Sequence, residues 1–312
     1  MNQTRRIGMR IGSADPYWVQ LREAVTHGAQ QAGAELVELD LNYTAAITSE
    51  AQGQLTDQIL ALDLDVVICA YLPAALVEQL LSHGVPVIQL TETDSNLHHP
   101  RFCSMNSYYA IASMAATFIA DSLAGRGHVI AVGGLMAAHG EDGRSRLRGL
   151  RDTLRAYPEI VCDHVPSVWR YDHAFPQLEA ALRRFHQPAD VLFGFSDSVA
   201  LAARDAAERL GLLGAQTRVV GINGDPLALA AIVEGRMHAT VETPIAAMAT
   251  EVIALAERAA RGEDLPDHFS FEAQLVTQAN IAQVAAQKLI AMADLPSRLV
   301  GVNRQREQKR LS

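Results

Sequence analysis

The stretch Gly-Phe-Ser-Asp-Ser at residues 194–198 has the residue types and the setting of a catalytic serine. It follows a strand-like run and precedes a helical one, as in a nucleophile elbow, but a serine stands where the elbow needs its second glycine. Asp225 and His238 follow in the order of a catalytic triad, although neither lies in a recognisable motif. The oxygens of Ser196 and Asp197 also suit a helix N-cap, which accepts hydrogen bonds from free backbone N–H groups. A serine hydrolase is therefore one alternative that the sequence leaves open.

Metal, phosphate and cofactor chemistry find less support. His98, His99 and Cys103 share one loop, but no second cluster of ligands completes a zinc site. The glycine-rich run "AVGGLMAAHGEDG" follows a strand-like segment, yet no lysine follows a glycine at the spacing of a phosphate-binding loop. The three cysteines are widely spaced and odd in number, which fits neither a disulfide framework nor zinc spacing. The sequence therefore predicts no metal and no cofactor.

Aromatic and arginine residues at loop positions point to binding instead. Tyr17 and Trp18 follow the first strand-like run, and Trp169 follows a later one, in a chain with only two tryptophans. Arg146 lies in "EDGRSRLRG", at a helix start where a cation opposes the helix dipole. On composition alone, core packing explains the aromatic residues and surface solvation explains the arginines. If these residues share a site, they suit a hydroxylated ligand, whose C–H faces pack on rings and whose hydroxyls need fixed donors.

Composition limits the class of protein. The chain has 312 residues, 49% of them hydrophobic, which is enough for two domains of ordinary size. A net charge of −9 without a basic block argues against nucleic acid as a partner. No apolar run approaches the length of a membrane span. The start, "MNQTRRIGMRIG", lacks the apolar core of a secretory signal, which predicts a cytoplasmic location, or a periplasmic or extracellular one if a signal was removed.

Alternating strand-like and helical segments predict an α/β fold. Helical patterns such as "YWVQLREAVTHGAQQAGA" lie between short apolar runs, which predicts parallel sheets with helices on both faces. The strand candidates suit two sheets better than one, with a divide near Asn106. Each sheet should bind its ligand at the carboxyl ends of its strands. The nine candidates are "RIGMRI", "ELVEL", "DVVICA", "VPVIQL", "HVIAVG", "IVCDHV", "VLFGF", "RVVGI" and "HATVE".

The order of the loop motifs resembles the type I periplasmic binding proteins, in particular ribose-binding proteins and the sugar-sensing domains of lactose-repressor-type regulators. The motifs are "ADPYW", "SMN", "GRSRLRG", "FSDSVALAA" and "VVGINGDPLALAAIVEGRMHATV", and the resemblance runs from about residue 5 to 276. It implies two doubly wound, Rossmann-like parallel-sheet domains, joined by three crossings near Asn106, Thr243 and Gln274, that close a cleft on a sugar. The implied division is 1–106 with 243–274, then 107–242 with 275–279, then a C-terminal helical extension over 280–312.

The resemblance also implies roles for individual residues in ligand binding. Tyr17 and Trp18 match an aromatic pair that stacks on the sugar from the first domain, and Asp15 matches a polar residue just before them. Arg146 matches an arginine that donates to ring and hydroxyl oxygens from the second domain. Trp169 lies one position from that domain's aromatic residue. The two tryptophans are thus expected to face one ligand from opposite sides.

Polar positions follow the family with some changes. Asn106 matches a polar contact on a crossing strand, and Asp197 keeps the family's aspartate. Ser196 stands where the family usually has asparagine, and Thr243 where ribose binders have glutamine. Asn223 replaces an aspartate, which removes a charge from the implied site.

The implied hydroxyl clamp of ribose binders is absent. Thr91 and Glu92 replace its Asp-Arg pair, and Ala70 replaces an asparagine beside Tyr71. The fold and the cleft therefore follow from the resemblance more directly than the ligand does. A sugar, a polyol, a nucleoside or a signalling molecule would each fit.

The C-terminal segment suggests a further role. A helix is expected from Asn280 to Ala293, and Pro296 should end it before a second, charged helix begins near Ser297. The segment resembles the exit from sensor modules that precede histidine kinases. We therefore interpret the chain as a non-enzymatic sensor of a small hydroxylated ligand, with an output domain or a second copy as the partner of its C-terminal helix. The alternatives are the solute receptor of an ABC sugar importer and a hydrolase using Ser196.

Overall fold

Strands and helices alternate along the chain, as the sequence predicts. The structure, a computed structural model, describes residues 4–12, 15–41, 48–92, 97–134 and 143–288. Within these ranges the strands are β1 (Arg6–Arg10), β2 (Glu35–Glu38), β3 (Val66–Cys69), β4 (Val87–Gln89), β5 (Phe102–Met105), β6 (Arg126–Val132), β7 (Glu159–Val165), β8 (Val191–Gly194), β9 (Arg218–Asn223), β10 (Ala239–Glu242), β11 (His268–Phe269) and β12 (Gln274–Thr277).

The helices of the same ranges lie between these strands. They are α1 (Pro16–Gln31), α2 (Ser49–Leu60), α3 (Ala74–Ser82), α4 (Tyr108–Ser122), α5 (Arg144–Leu154), α6 (Tyr171–Leu182), α7 (Asp197–Arg209), α8 (Pro226–Val233), α9 (Ile245–Ala260) and α10 (Ile281–Gln287). None of these helices is long and apolar enough to cross a membrane.

The described residues form two compact units with one sheet each. Unit 1 holds the residues up to Ser107 together with Pro244–Glu272, and unit 2 holds the others. Within the described ranges the chain passes between the units after Ser107, Thr243 and Glu272. The strand orders are β11-β5-β4-β3-β1-β2 in unit 1 and β12-β10-β9-β8-β6-β7 in unit 2. All pairs are parallel except β10 with β12, so each sheet is doubly wound, as expected.

The central strands of both sheets, such as β3 and β8, are fully buried, which explains why they are continuously apolar. In unit 1, β3 is fully buried and packs in a cluster with residues of α2 and α3, including Ile59 and Leu80. On α1, a Cβ added at Gly28 would lie 3.0 Å from Cγ1 of Ile253 on α9, so glycine allows these two helices to pack closely. In unit 2, the strands meet α6 and α7 in a second cluster that contains Leu178 and Ala203.

The helix after β12 is part of unit 2. It begins at Ile281, next to the predicted start at Asn280, and its residues Ile281, Val284 and Ala285 are buried in one cluster with α7 and α8. The start of the predicted extension therefore contributes to the core of unit 2 and does not stand apart from it. The predicted end at Ala293 and the second helix expected from Ser297 lie outside the described residues.

Three strands lie outside the nine strand candidates, namely β5 and β11 of unit 1 and β12 of unit 2. β5 reads Phe-Cys-Ser-Met and contains no β-branched residue, so its local pattern is a weak strand signal. It forms a strand by pairing with its neighbours β4 and β11. β11 has only two residues. β5 and β11 both extend the sheet of unit 1, and only their pairing with distant segments identifies them.

Candidate functional site

Parallel topology brings the predicted site residues of each unit to one edge of its sheet. In unit 1 they follow the carboxyl ends of β1, β3, β4 and β5, and in unit 2 they follow those of β6 to β10. Loops at this edge are where doubly wound sheets bind ligands.

The first turn of α1 carries the aromatic pair of unit 1. Asp15 caps this helix, because its Oδ1 accepts a hydrogen bond from the Tyr17 N–H at 3.1 Å. Tyr17 is 3% exposed, and its hydroxyl donates to Sδ of Met248 on α9 at 3.7 Å. Trp18 is half-buried and meets the Tyr17 ring edge-on, with centroids 5.0 Å apart. Tyr17 thus packs between α1 and α9, and Trp18 is the more accessible ring of the pair.

Gln89 holds together the loops after β3 and β4. This side chain is 1% exposed; its Oε1 accepts from the Leu72 N–H at 3.3 Å, and its Nε2 donates to the Glu92 carbonyl at 3.3 Å. Thr91 adds a hydrogen bond from Oγ1 to the Ala70 carbonyl at 2.8 Å. The hydroxyl of Thr91 therefore has a partner within the protein. Gln89 is a positioning residue that the sequence analysis missed, since nothing in its local pattern distinguishes it.

Three predicted residues of unit 1 remain more open. Tyr71 and Glu92 are half-buried at the ends of the loops that Gln89 holds. Asn106 has an exposed side chain, while its N–H donates to the Phe269 carbonyl at 2.9 Å. The backbone of Asn106 thus belongs to the sheet edge, and its amide group is accessible.

Unit 2 holds its predicted arginine against aromatic rings. Arg146 lies in the first turn of α5 and is 5% exposed. Its Cζ lies 3.7 Å from the centroid of the Tyr108 ring and 4.9 Å from that of Trp169. Arg146 and Trp169 are therefore together, as predicted, and Tyr108 is a third member that the sequence analysis did not single out. The signal available was an aromatic residue just after the crossing near Asn106.

Asp197 is committed to partners inside unit 2. Its Oδ1 accepts from Oγ1 of Thr240 at 2.7 Å, and its Oδ2 accepts from the Asp225 N–H at 2.9 Å. The Gly224 N–H in turn donates to Oγ1 of Thr240 at 3.2 Å. A carboxylate that accepts such bonds holds the turn after β9 in place. The contacts of Asp197 thus give it a positioning role, and its contact with a ligand stays a prediction.

The turn that Asp197 holds contains a strained residue. Asn223 has a φ of 116°, which residues other than glycine adopt infrequently. Its carbonyl accepts from the N–H and Oγ1 of Thr243 at 3.2 and 3.3 Å, so two predicted site residues contact each other directly. Both side chains are buried at the carboxyl edge.

A buried ion pair lies beside this turn. Glu242 pairs with Asn223 in the β9–β10 register, and its Oε1 lies 2.8 Å from Nζ of Lys288. The two side chains are 8% and 14% exposed. Gln274 on β12 donates to the other Glu242 oxygen at 2.8 Å. Lys288, the residue directly after α10, is thereby attached to the carboxyl edge of unit 2, which the sequence analysis did not predict.

The geometry around Ser196 is that of a helix cap. Its Oγ accepts from the Val199 N–H at 3.3 Å at the start of α7. Nδ1 of His238 accepts from the Val219 N–H at 3.2 Å, and burial lowers the pKa of His238 below its usual value. The described residues therefore show the N-cap alternative at Ser196.

Thiols and metal-ligand types are not organised as a site. No group of three or more His, Cys, Asp or Glu side chains within the described ranges is arranged to hold a metal ion. Burial raises the pKa of Cys103 to about 12 and that of Cys162 to about 11, which keeps both thiols protonated and unreactive.

Comparison with known proteins agrees with this architecture. The family model described as "Periplasmic binding protein domain" matches residues 9–264. The xylitol-binding protein of Mycolicibacterium smegmatis is 22% identical over 284 residues, which cover 90% of this chain and 79% of that protein.

Solved structures share the fold at low sequence identity. An ABC transporter solute binding protein from Bacillus halodurans, with bound myo-inositol, has a TM-score of 0.76 at 22% identity and covers 92% of this chain and 99% of its own. The fructose binding periplasmic domain of a hybrid two component system has a TM-score of 0.75 at 19% identity, covering 96% of this chain and 99% of its own. At these identities the likeness concerns the fold.

Proposed function

The chain belongs to the periplasmic binding protein family, whose members bind solutes rather than transform them, and on that premise we propose that it is the solute-binding receptor of an ABC importer for a neutral polyhydroxylated molecule. Xylitol and myo-inositol, the ligands named for two similar proteins, are the first candidates. Such a receptor works outside the cytoplasmic membrane. The cytoplasmic location predicted from the sequence finds no support in the family match.

The buried guanidinium of Arg146 carries the proposal. It lies at the carboxyl edge of unit 2, against the rings of Tyr108 and Trp169. A guanidinium presents five N–H donors in one plane, and rings that pack on its faces do not use those donors. Hydroxyl oxygens of a polyol are suitable acceptors for them. Asn223 and Thr243, at the same edge, would add polar contacts.

Unit 1 carries its own set of candidate ligand contacts at its sheet edge. Trp18, the more accessible ring of its pair, would pack on the C–H groups of the ligand. Glu92 and Asn106 lie at the same sheet edge and would accept from and donate to hydroxyls. Thr91 and Glu92 stand where ribose binders have the Asp-Arg clamp, so we expect preference for a ligand other than ribose.

Isothermal titration with xylitol, myo-inositol and fructose tests the function. We expect one of them to bind, and Arg146→Ala to weaken that binding by about tenfold or more, since a charge-assisted donor is lost. Arg148→Ala is the matched control, because Arg148 is an exposed arginine on the same helix, 5.2 Å from the Tyr109 ring centroid. Equal affinities in the Arg146 and Arg148 variants would contradict the proposed site.

A sensor is the second candidate function. One support is the likeness to the periplasmic domain of a hybrid two component system. The other is the ion pair of Lys288 with Glu242, at the sheet edge that carries Asn223. In this case ligand binding would be passed to an output domain or a second copy through the C-terminal segment.

Deleting the gene distinguishes the two candidates. Uptake of the labelled ligand should be lost if the chain is an importer receptor, and expression of ligand-responsive genes should be lost, with uptake intact, if it is a sensor. Removing residues 297–312 gives a second test, since only a sensor should lose its output while ligand affinity stays unchanged.

A further inference from the structure

We propose that Tyr108 is a positioning residue for the Arg146 guanidinium, and that its ring helps to set the strength of ligand binding. The proposal rests on the proposed function of Arg146 in ligand binding. Tyr108 is the first residue of α4 and is 2% exposed. Its ring lies closer to the Arg146 Cζ than the Trp169 ring does, at 3.7 Å against 4.9 Å from the centroids.

The backbones of α4 and α5 set this contact. Gly149 follows Arg146 by one helical turn and packs directly on α4, where an added Cβ would overlap the carbonyl oxygen of Tyr109. Oγ of Ser113 donates to the Gly149 carbonyl at 3.4 Å, which links the two helices again. Because the helices meet at their backbones, the ring of Tyr108 and the guanidinium are held at a defined spacing.

The ring also compensates for an unfavourable position of the charge. A cation in the first turn of a helix opposes the helix dipole, and burial adds a cost of desolvation. The negative face of an aromatic ring attracts a guanidinium and packs against its plane without occupying the N–H groups at its edge. Tyr108 therefore helps to keep the Arg146 guanidinium ordered, so less ordering remains for the binding step.

Titration of ring and non-ring variants with xylitol and myo-inositol tests the effect on binding. Tyr108→Phe retains the ring and should bind within about twofold of the parent, while Tyr108→Leu should bind about tenfold more weakly, which is about 1.4 kcal/mol. Tyr109→Leu is the matched control, because Tyr109 is the next residue of α4 and faces the exposed Arg148. In an Arg146→Ala background, which removes the cation, Tyr108→Leu should cause little further loss, since Tyr108 acts through Arg146.

Nitrogen-15 relaxation of the arginine Nε–H groups tests the positioning without any ligand. In the parent and in Tyr108→Phe, the Arg146 group should be ordered and shifted upfield by the ring, while that of Arg148 should be more mobile. In Tyr108→Leu, the Arg146 group should become more mobile and lose the part of its upfield shift that comes from the Tyr108 ring. Tyr108→Met, with an unbranched side chain that adapts to its surroundings, replaces the leucine variant if the latter does not fold.

The two measurements separate the failure of this inference from that of the proposed function. An Arg146 group that stays equally ordered in Tyr108→Leu, or a leucine variant that binds as well as the phenylalanine variant, would overturn the positioning role. If the Arg146→Ala variant binds as tightly as the parent, the proposed function of the site fails, whatever the relaxation data show.

Discussion

Replacing Asp197 with alanine should destabilise unit 2 strongly. The carboxylate accepts from Oγ1 of Thr240 and from the Asp225 N–H, and these two residues are 0% and 1% exposed. Each buried donor that loses its acceptor costs about 1–3 kcal/mol, so two donors give a loss of about 2–6 kcal/mol in the free energy of unfolding. Such a loss would be a large part of the stability of an ordinary domain.

Urea unfolding followed by tryptophan fluorescence measures this loss. The chain has two tryptophans, so Trp18→Phe leaves Trp169 as a reporter of unit 2 alone. Asp172→Ala is the control, because Asp172 also lies in the first turn of a helix but forms a half-exposed ion pair with Arg170, at 2.6 Å. Its loss should be about 0–1 kcal/mol.

A second substitution, on strand β9, tests the packing around the Asp197 carboxylate. A Cβ added at Gly221 on β9 would overlap Oδ1 of Asp197 and lie 2.9 Å from Cε of Met237. Gly221→Ala should therefore be destabilising, and less so when Asp197 is already alanine. A loss of stability in Asp197→Ala no larger than in Asp172→Ala would contradict the role of Asp197 in holding this turn. Additive losses of stability from Asp197→Ala and Gly221→Ala would contradict it as well.

Three further predictions concern the ion pair, a histidine and the thiols. Lys288→Met should cost about 1–3 kcal/mol in the free energy of unfolding by urea, because it removes the cation beside the buried Glu242 and leaves only the hydrogen bond from Gln274. Adding Glu242→Gln should restore part of the loss, and purely additive effects of the two substitutions would contradict this. Burial lowers the pKa of His164 below 6.5, so the unfolded state binds more protons and stability should fall as the pH drops below about 6.5. His164→Gln should reduce that fall, and an unchanged pH slope would count against it. Because burial raises the pKa of the fully buried Cys69, thiol reagents should label Cys69 only when unit 1 opens, whereas the half-buried Cys162 should react sooner. Mass spectrometry can follow both, and rapid labelling of Cys69 in the native protein would contradict this.

Local patterns were sufficient for much of the fold. The alternation of apolar runs and amphipathic segments predicted the parallel sheets, since a helix between two strands requires a crossover. It also placed Arg146 at a helix start and Ser196 at a possible helix cap, because both depend on residues close in sequence. β5 and β11 escaped this approach, since their strand character comes from pairing with segments far along the chain.

The sequence was therefore sufficient to predict the fold class and the edge of each sheet where polar and aromatic residues collect. The contacts of those residues are seen only in the folded chain. Asp197 has the same local pattern as a ligand-binding aspartate, yet Thr240, 43 positions away, accounts for one of its oxygens. Tyr108 and Arg146 meet only because α4 and α5 pack at Gly149. Periodicity and capping act over a few residues, whereas the partner of a buried charge is set by packing between distant elements, which no local pattern encodes.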